Sequence, residues 1–332
     1  MSDQADNATG PREGDAPQLS VVAPCYNEQD GLEEFYRRVR GVLDGLAQPA
    51  EIVLVDDGSS DGTWAVLRRL AEADPSVVLV KLSRNHGHQL ALTAGLSICR
   101  GRRVLILDAD LQDPPELLPQ MLAAMDRGAD VVYGQRRKRA GEGAFKRGTA
   151  FAFYRFVNWL SDTRIPPDTG DFRLLSRRAL DALLSMPERH RFLRGMVSWV
   201  GFRQEAFLYD RDPRHAGTTK YPLRKMLRLA LDAVTSFSTR PLRLATILGG
   251  LTGLFGLGLL IYVFVSYLVG RTVGGWTSLL GTVAILGSIQ LFILGLQGAY
   301  LGRLYEEAKG RPLFIIESIW RRGREDPPPP PA

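Results

Sequence analysis

The chain has 332 residues, 45% of them hydrophobic, with 42 lysines and arginines against 36 aspartates and glutamates. That length holds one large domain or two small ones, and a net charge of +6 suits partners that carry phosphate. Two cysteines, Cys25 and Cys99, in no metal-type spacing, exclude a disulfide framework and read as buried thiols in a reducing compartment.

Residues 1–18 are polar, rich in Asp, Gly and Pro, and lack the apolar centre of a signal peptide, so a disordered tail is expected. Leu19–Ala23 (LSVVA) is a short apolar run stopped by Pro24, followed by a helical pattern over 29–46. Glu51–Val55 (EIVLV) is a second run, ended by Asp56-Asp57-Gly58, with a helix over 63–73. Val77–Leu82 is a third, with a helix over 89–99, and Val104–Leu107 (VLIL) a fourth, ending at Asp108-Ala109-Asp110. A helix over 115–127 and a strand over 130–133 follow. Short continuous apolar strands alternating with helices predict an α/β fold, a parallel sheet covered on both faces. Ligands of such sheets bind beyond the carboxyl ends of the strands. Asn27, Asp56, Asp57, Asp108 and Asp110 all stand at those ends.

Beyond Tyr133 the pattern changes. Residues 136–146 are basic and glycine-containing, which reads as a mobile loop. Phe151–Leu160 holds five aromatics in ten residues beside Arg147 and Arg155, which fits an interfacial helix, with a packed core helix as the alternative. Over 223–237, Leu223, Met226, Leu227, Ala230, Leu231 and Val234 share one helical face while Arg224, Lys225 and Arg228 occupy another. A basic amphipathic helix before a hydrophobic segment reads as lying on a membrane surface. Two nearly uncharged stretches, about 244–270 and 277–301, each exceed the ~20 residues that cross a bilayer. They predict a transmembrane hairpin over 241–303, and a tail over 304–332 that ends in a proline run. Arg240, Arg243, Arg303, Lys309 and Arg311 flank its outer ends while the short turn has one arginine, which places the bulk of the protein in the cytoplasm. With a membrane segment present, lipid and nucleotide outrank nucleic acid as phosphate partners.

Two carboxylates two residues apart at a strand end, Asp108 and Asp110, can hold Mg²⁺ or Mn²⁺ that neutralises a diphosphate. Asp56 or Asp57 can accept hydrogen bonds from a nucleobase or ribose, beside a turn that also caps the next helix. Pro24-Cys25-Tyr26-Asn27-Glu28 is placed to wall the same pocket.

The runs APCYNE, VLVDDGSSDGT, LSRNHGHQLALTAGL and ILDADLQDPPE, with DTGDFRLLSRRAL and HAGTTKYPLRKML further on, resemble the family 2 glycosyltransferases of GT-A fold. More narrowly they are similar to the polyprenyl-phosphate glycosyltransferases, the dolichol-phosphate mannose synthases and their bacterial relatives with two C-terminal transmembrane helices. The resemblance covers about 19–301 and implies a catalytic domain over 19–222 and a juxtamembrane helix over 223–240. It implies that Pro24, Tyr26, Glu28, Asp57 and Asp108 surround the nucleotide-sugar, and that Arg211, Arg214 and Lys220 belong to a loop closing over it. Asp108, Asp110 and Gln112 correspond to the metal and diphosphate site. Arg136, Lys146, Arg147 and Arg173 match positions near the acceptor phosphate, and Asp171 the acidic position beside it, with a general-base role as one hypothesis. The region comparable to the Gln-x-x-Arg-Trp sequence of chain-building relatives reads Arg191-Phe192-Leu193-Arg194-Gly195, without the tryptophan, which argues against a polymerase.

The implied reaction is inverting, metal-dependent transfer of a hexose from UDP-glucose or GDP-mannose to a polyprenyl phosphate, expected to be undecaprenyl phosphate, at a bacterial inner membrane, by a homo-oligomer. The alternatives are a transferase acting on another lipid and a non-catalytic membrane scaffold of the same fold.

Overall fold

The computed structural model describes residues 17–137, 169–210, 240–270, 275–322 and 324–327. It divides into two compact units: one holds the described residues up to 210 together with those from 312 onward, the other the described residues of 240–311.

The first unit is an α/β layer structure built on one sheet. Its strands are β1 (Leu19–Cys25), β2 (Ala50–Asp56), β3 (Val77–Leu82), β4 (Arg103–Ile106), β5 (Val131–Arg136), β6 (Thr169–Ser176), β7 (Gln204–Tyr209), β8 (Ile316–Arg321) and β9 (Arg324–Asp326). The order is β7-β5-β6-β4-β1-β2-β3-β8-β9. The central β4-β1-β2-β3 strands are parallel, as their continuous apolar runs demand, and every residue of β1 is buried. β6 joins β4 and β5 antiparallel, and β7 closes that side parallel to β5.

The connecting helices are α1 (Leu32–Gly45), α2 (Thr63–Ala73), α3 (His88–Ile98) and α4 (Leu118–Asp126), the last entered through a 3-10 turn at Pro115–Leu117. α5 (Arg177–Leu184) and α6 (Leu193–Val200) follow β6. Side chains alternate along the strands, so Leu19, Val21, Ala23 and Cys25 pack with Phe35, Val39 and Leu67 of α1 and α2, the core of one face. The other face receives α3. A Cβ built on Gly95 would stand 2.6 Å from Val22 Cγ1 and 2.7 Å from Val55 Cγ2, so α3 sits directly on β1 and β2 because Gly95 has no side chain. Replacing Gly95 with alanine overpacks that contact; a loss of roughly 1–3 kcal/mol is expected, read as a lower thermal midpoint of the detergent-solubilised protein.

β1 runs one residue past the Pro24 expected to end it. Its pairing with β4 stops at Val22, while pairing with β2 continues to Cys25. The missing N–H of Pro24 therefore costs no bond to β4.

The 304–332 segment, expected as a tail, is a correction. β8 pairs antiparallel with β3, and β9 folds back on β8. Lys81 meets Glu317 at 2.7 Å, Arg68 lies 4.5 Å above the Trp320 ring, and Arg321 donates to Ile98 O at 3.0 Å. Ser83 N donates to Ile315 O at 3.0 Å, which carries the pairing up to the loop after β3.

The second unit contains α7 (Arg240–Leu268, 29 residues) and α8 (Trp276–Ala308, 33 residues). Both are long and apolar enough to cross a membrane. Their large apolar side chains, among them Leu254, Phe264, Leu291 and Phe292, are exposed, an apolar surface of the kind that marks a membrane or protein contact. On α7 a Cβ built on Gly249 would come within 3.9 Å of Ile293 Cδ1 on α8, while one on Gly253, Gly256 or Gly258 would meet nothing within 4 Å among the described residues. The aromatic segment 151–160 and the amphipathic helix over 223–237 lie outside the described residues.

Candidate active site

The carboxyl ends of β1, β2 and β4 bring the predicted acidic residues to one edge of the sheet. The loop after β1 is stitched to the loop after β2. Asn27, at φ 55°, accepts Ser60 N on its side-chain oxygen at 2.9 Å, and its own N–H donates to Ser59 Oγ at 3.1 Å. Glu28 N donates to Thr63 Oγ1 at 2.9 Å. Tyr26 projects from this loop half exposed, whereas Pro24 is buried within β1.

Asp57 is spent on the loop after β3. Its two oxygens accept His86 N at 2.7 Å and Gly87 N at 2.9 Å. Burial raises its carboxyl above the usual range and outweighs those hydrogen bonds. Gly58, at φ +67°, lets the Arg84–Asn85 backbone pass where a Cβ would come within 2.6 Å, so only glycine fits. The loop 83–87 thus hangs from Asp57, Gly58 and Ile315 and delivers His88 and Gln89 as the first residues of α3.

Asp108 follows β4. Its side chain keeps 24% exposure, yet Oδ1 is sealed from solvent without a hydrogen-bond partner. Burial pushes its carboxyl up to about 6, against the lowering influence of His88. Leu111 has φ 56° and is buried, a costly conformation for a branched side chain that lets Gln112 N donate to Asp110 Oδ1 at 3.1 Å. Strain of that kind marks a loop held in one shape for use.

β6 brings the last carboxylate. The antiparallel register that sets Arg173 opposite Ile106 carries Asp171 alongside Asp108. Asp171 is buried and saturated. Arg194 of α6 donates Nε to Oδ1 at 2.9 Å and Nη2 to Oδ2 at 3.2 Å, and Gln89 Nε2 donates to Oδ2 at 3.0 Å. His88 Nε2 stands 3.2 Å from the same Oδ2 and 3.4 Å from Asp108 Oδ1, bridging the two carboxylates. Burial alone would raise Asp171, but the Arg194 charge and the His88 and Arg194 hydrogen bonds prevail and hold it well below the usual carboxylate range. His88 is raised: burial works against its charge and the two aspartates override it. Arg173 is buried in β6, donates Nη2 to Gly170 O at 2.9 Å, and leaves Nε without a hydrogen bond. Burial lowers it to about 10.

Among the described residues no group of three His, Cys, Asp or Glu side chains could hold a metal ion. Two carboxylates are nonetheless what Mg²⁺ or Mn²⁺ uses when a substrate's phosphates supply the other oxygens. The part-exposed Asp108 carboxylate, beside Asp110 on a strained loop, fits that arrangement.

Asp108, Asp110, Asp171 and the loop bearing Tyr26 therefore come together, with Arg173 in the wall behind. Arg136 ends β5, but its side chain is outside the described residues, as are Lys146, Arg147, Arg211, Arg214 and Lys220. Sequence reasoning assigned no role to His88, Gln89 or Arg194. The available signals were the polar cluster Asn85-His86-Gly87-His88-Gln89 directly after a strand, and an arginine retained in the segment that lacks tryptophan.

Residues 20–184 match the model of glycosyl transferase family 2. The uncharacterized glycosyltransferase YkcC of Bacillus subtilis (strain 168) is 46% identical over 306 residues, 91% of this chain and 94% of its own length. The SfII prophage-derived bactoprenol glucosyl transferase of Shigella flexneri is 39% identical over 307 residues, 91% of this chain and 98% of its own. A prophage bactoprenol glucosyl transferase homolog of Escherichia coli (strain K12) is 38% identical over 305 residues, 91% and 99% respectively. With the GT-A-like α/β sheet, the acidic strand ends and similarity along almost the whole chain, this protein belongs to glycosyl transferase family 2.

Proposed function

We propose that the protein transfers glucose from a nucleotide-sugar, UDP-glucose first among the donors to test and GDP-mannose the alternative, to a polyprenyl phosphate at a membrane. The observation that carries this is its similarity over 91% of the chain to a bactoprenol glucosyl transferase, together with two helices long and apolar enough to cross a bilayer.

The chemistry of the described residues supports the reading. An acceptor phosphate oxygen attacks the sugar C1; the bond from C1 to the donor's diphosphate breaks and its electron pair leaves with the diphosphate. A single displacement inverts the anomeric centre. A phosphate monoester carries about −1.5 to −2 charge at pH 7 and needs no base to become nucleophilic. Asp171 suits that economy, since its carboxylate is held ionised by Arg194, Gln89 and His88 and is a poor proton acceptor. Its role is to orient these neighbours. Asp108 and Asp110 would hold a divalent ion, which when bound would supply Lewis-acid stabilisation to the departing diphosphate. Tyr26 is placed to meet the nucleoside, while Arg173 contributes positive potential from within the sheet. Arg136, Lys146 and Arg147 remain the cations proposed for the acceptor phosphate, and Arg211 and Lys220 for the donor. The basic flanks of α7 and α8 support a cytoplasmic catalytic unit.

The test is incorporation of labelled glucose from UDP-glucose into solvent-extractable undecaprenyl phosphate by the full chain in detergent. Label in the lipid phase with Mn²⁺ or Mg²⁺, lost on adding chelator, is the expected result. A preparation that binds the nucleotide yet labels no lipid from either donor would count against this acceptor.

A further inference from the structure

His88 stands where neither structural packing nor the two aspartates' own needs explain it. Its side chain is 44% exposed, so it fills no core. Its Nε2 faces two carboxylate oxygens. Asp171 Oδ2 is already supplied by Gln89 and Arg194, whereas Asp108 Oδ1 has no hydrogen-bond donor. Carboxylates offer only acceptors, so the hydrogen sits on Nε2, which is bonded to Asp171 Oδ2 at 3.2 Å and stands 3.4 Å from Asp108 Oδ1. The imidazole is also aimed by its backbone. It is the first residue of α3, whose approach is fixed by Gly95 on the sheet and by the bonds from His86 and Gly87 to Asp57. Gln89 adds a second tie, giving Nε2 to Asp171 and accepting Leu193 N on Oε1 at 3.1 Å. Asp171 and Arg194 together form a rigid backing against which His88 leans.

The geometry points to His88 as a positioning residue: held by Asp171, its Nε2–H stands against the inner oxygen of Asp108, so that the outer oxygen is presented to a divalent cation. This rests on the reading of Asp108 and Asp110 as the cation site and adds the residue that orients it. Groups that orient a ligating side chain from behind typically govern ~10- to 100-fold of metal affinity.

The experiment uses the full chain in detergent and Mn²⁺ alone as the probe, with free Mn²⁺ followed by electron paramagnetic resonance. His88→Ala should bind Mn²⁺ roughly ten- to a hundred-fold more weakly while remaining folded. His88→Gln, whose amide N–H reaches the same point, should recover most of the affinity. In the transfer assay, raising Mn²⁺ should restore turnover of His88→Ala, which a merely structural lesion would not allow. Wild-type Mn²⁺ affinity in His88→Ala, or no recovery in His88→Gln, would overturn the assignment while leaving the cation site standing. Asp108→Asn separates the two: if it binds Mn²⁺ like the wild type, the cation is not at Asp108 and both readings fall.

Discussion

Asp108→Asn and Asp110→Asn are each expected to lower lipid glucosylation by at least about a hundred- to a thousand-fold at saturating nucleotide-sugar, the scale set by removing one preorganised group that stabilises a developing oxyanion. The change is nearly isosteric, so folding should survive it. Asp108 should even gain stability, since burial already disfavours its ionised form and pushes the carboxyl up to about 6. Loss of activity without loss of fold is the signature of a group kept charged for a ligand's sake. The measurement is kcat from initial rates of lipid labelling, alongside a thermal melt. Turnover within a few-fold of the wild type in both variants would contradict the role given to this pair.

Asp171→Ala should act through stability first. Asp171 is 3% exposed and neutralises Arg194 at 2.9 Å, with Arg173 a buried neighbour in the same strand. The buried Arg173 loses its neighbouring counter-charge, while Arg194, 36% exposed, regains solvation, so the cost falls below that of a fully buried pair, at roughly 1–3 kcal/mol. For a catalytic unit of this size each kcal/mol moves the midpoint by about 2–4 °C, so a fall of the order of 2–12 °C is expected. Asp171→Asn keeps the shape and loses the charge, and it adds a pH test. The folded-state carboxyl of Asp171 is depressed, so its stabilisation is fully present above the unfolded value near 4 and is lost as pH falls below that value towards the folded one. The wild type's advantage over Asp171→Asn should not fall on going from neutral pH to about pH 5, where protonation of His88 adds to it, and should shrink below about pH 4. An advantage that instead shrinks between pH 8 and 6 would mean that Asp171 titrates as an ordinary base.

The parallel centre of the sheet was legible because burial on both faces writes itself as uninterrupted runs such as EIVLV and VVLVKL. Asp57, Asp108 and Asp110 were legible for the same reason: the fold sends its strand ends to one place, and they sit at those ends. What stayed hidden depends on pairings between distant segments. Nothing near Asp171 announces that β6 lies antiparallel to β4, the arrangement that sets it beside Asp108. Arg194 lies on a helix after β6, and its partner is fixed only once that helix docks. IESIWR was obscured because a six-residue strand beside basic residues and a proline run has too little pattern to stand out. Pro24 misled in the other direction, since a strand tolerates proline where one neighbour has already ended.

The pairing of β8 with β3 also orders events during synthesis. The ribosome makes β1 to β7 first, then α7 and α8, and only afterwards the strand that completes the sheet. Until then the outer edge of β3 carries unpaired backbone groups, an invitation to foreign strands. Domains fold as they emerge, N-terminal parts first, yet this one cannot finish before both apolar helices have left the exit tunnel. Emergence of both apolar helices is thereby built in as a step that precedes completion of the sheet, and a nascent chain stalled before residue 316 would carry those helices beside a sheet with an open edge.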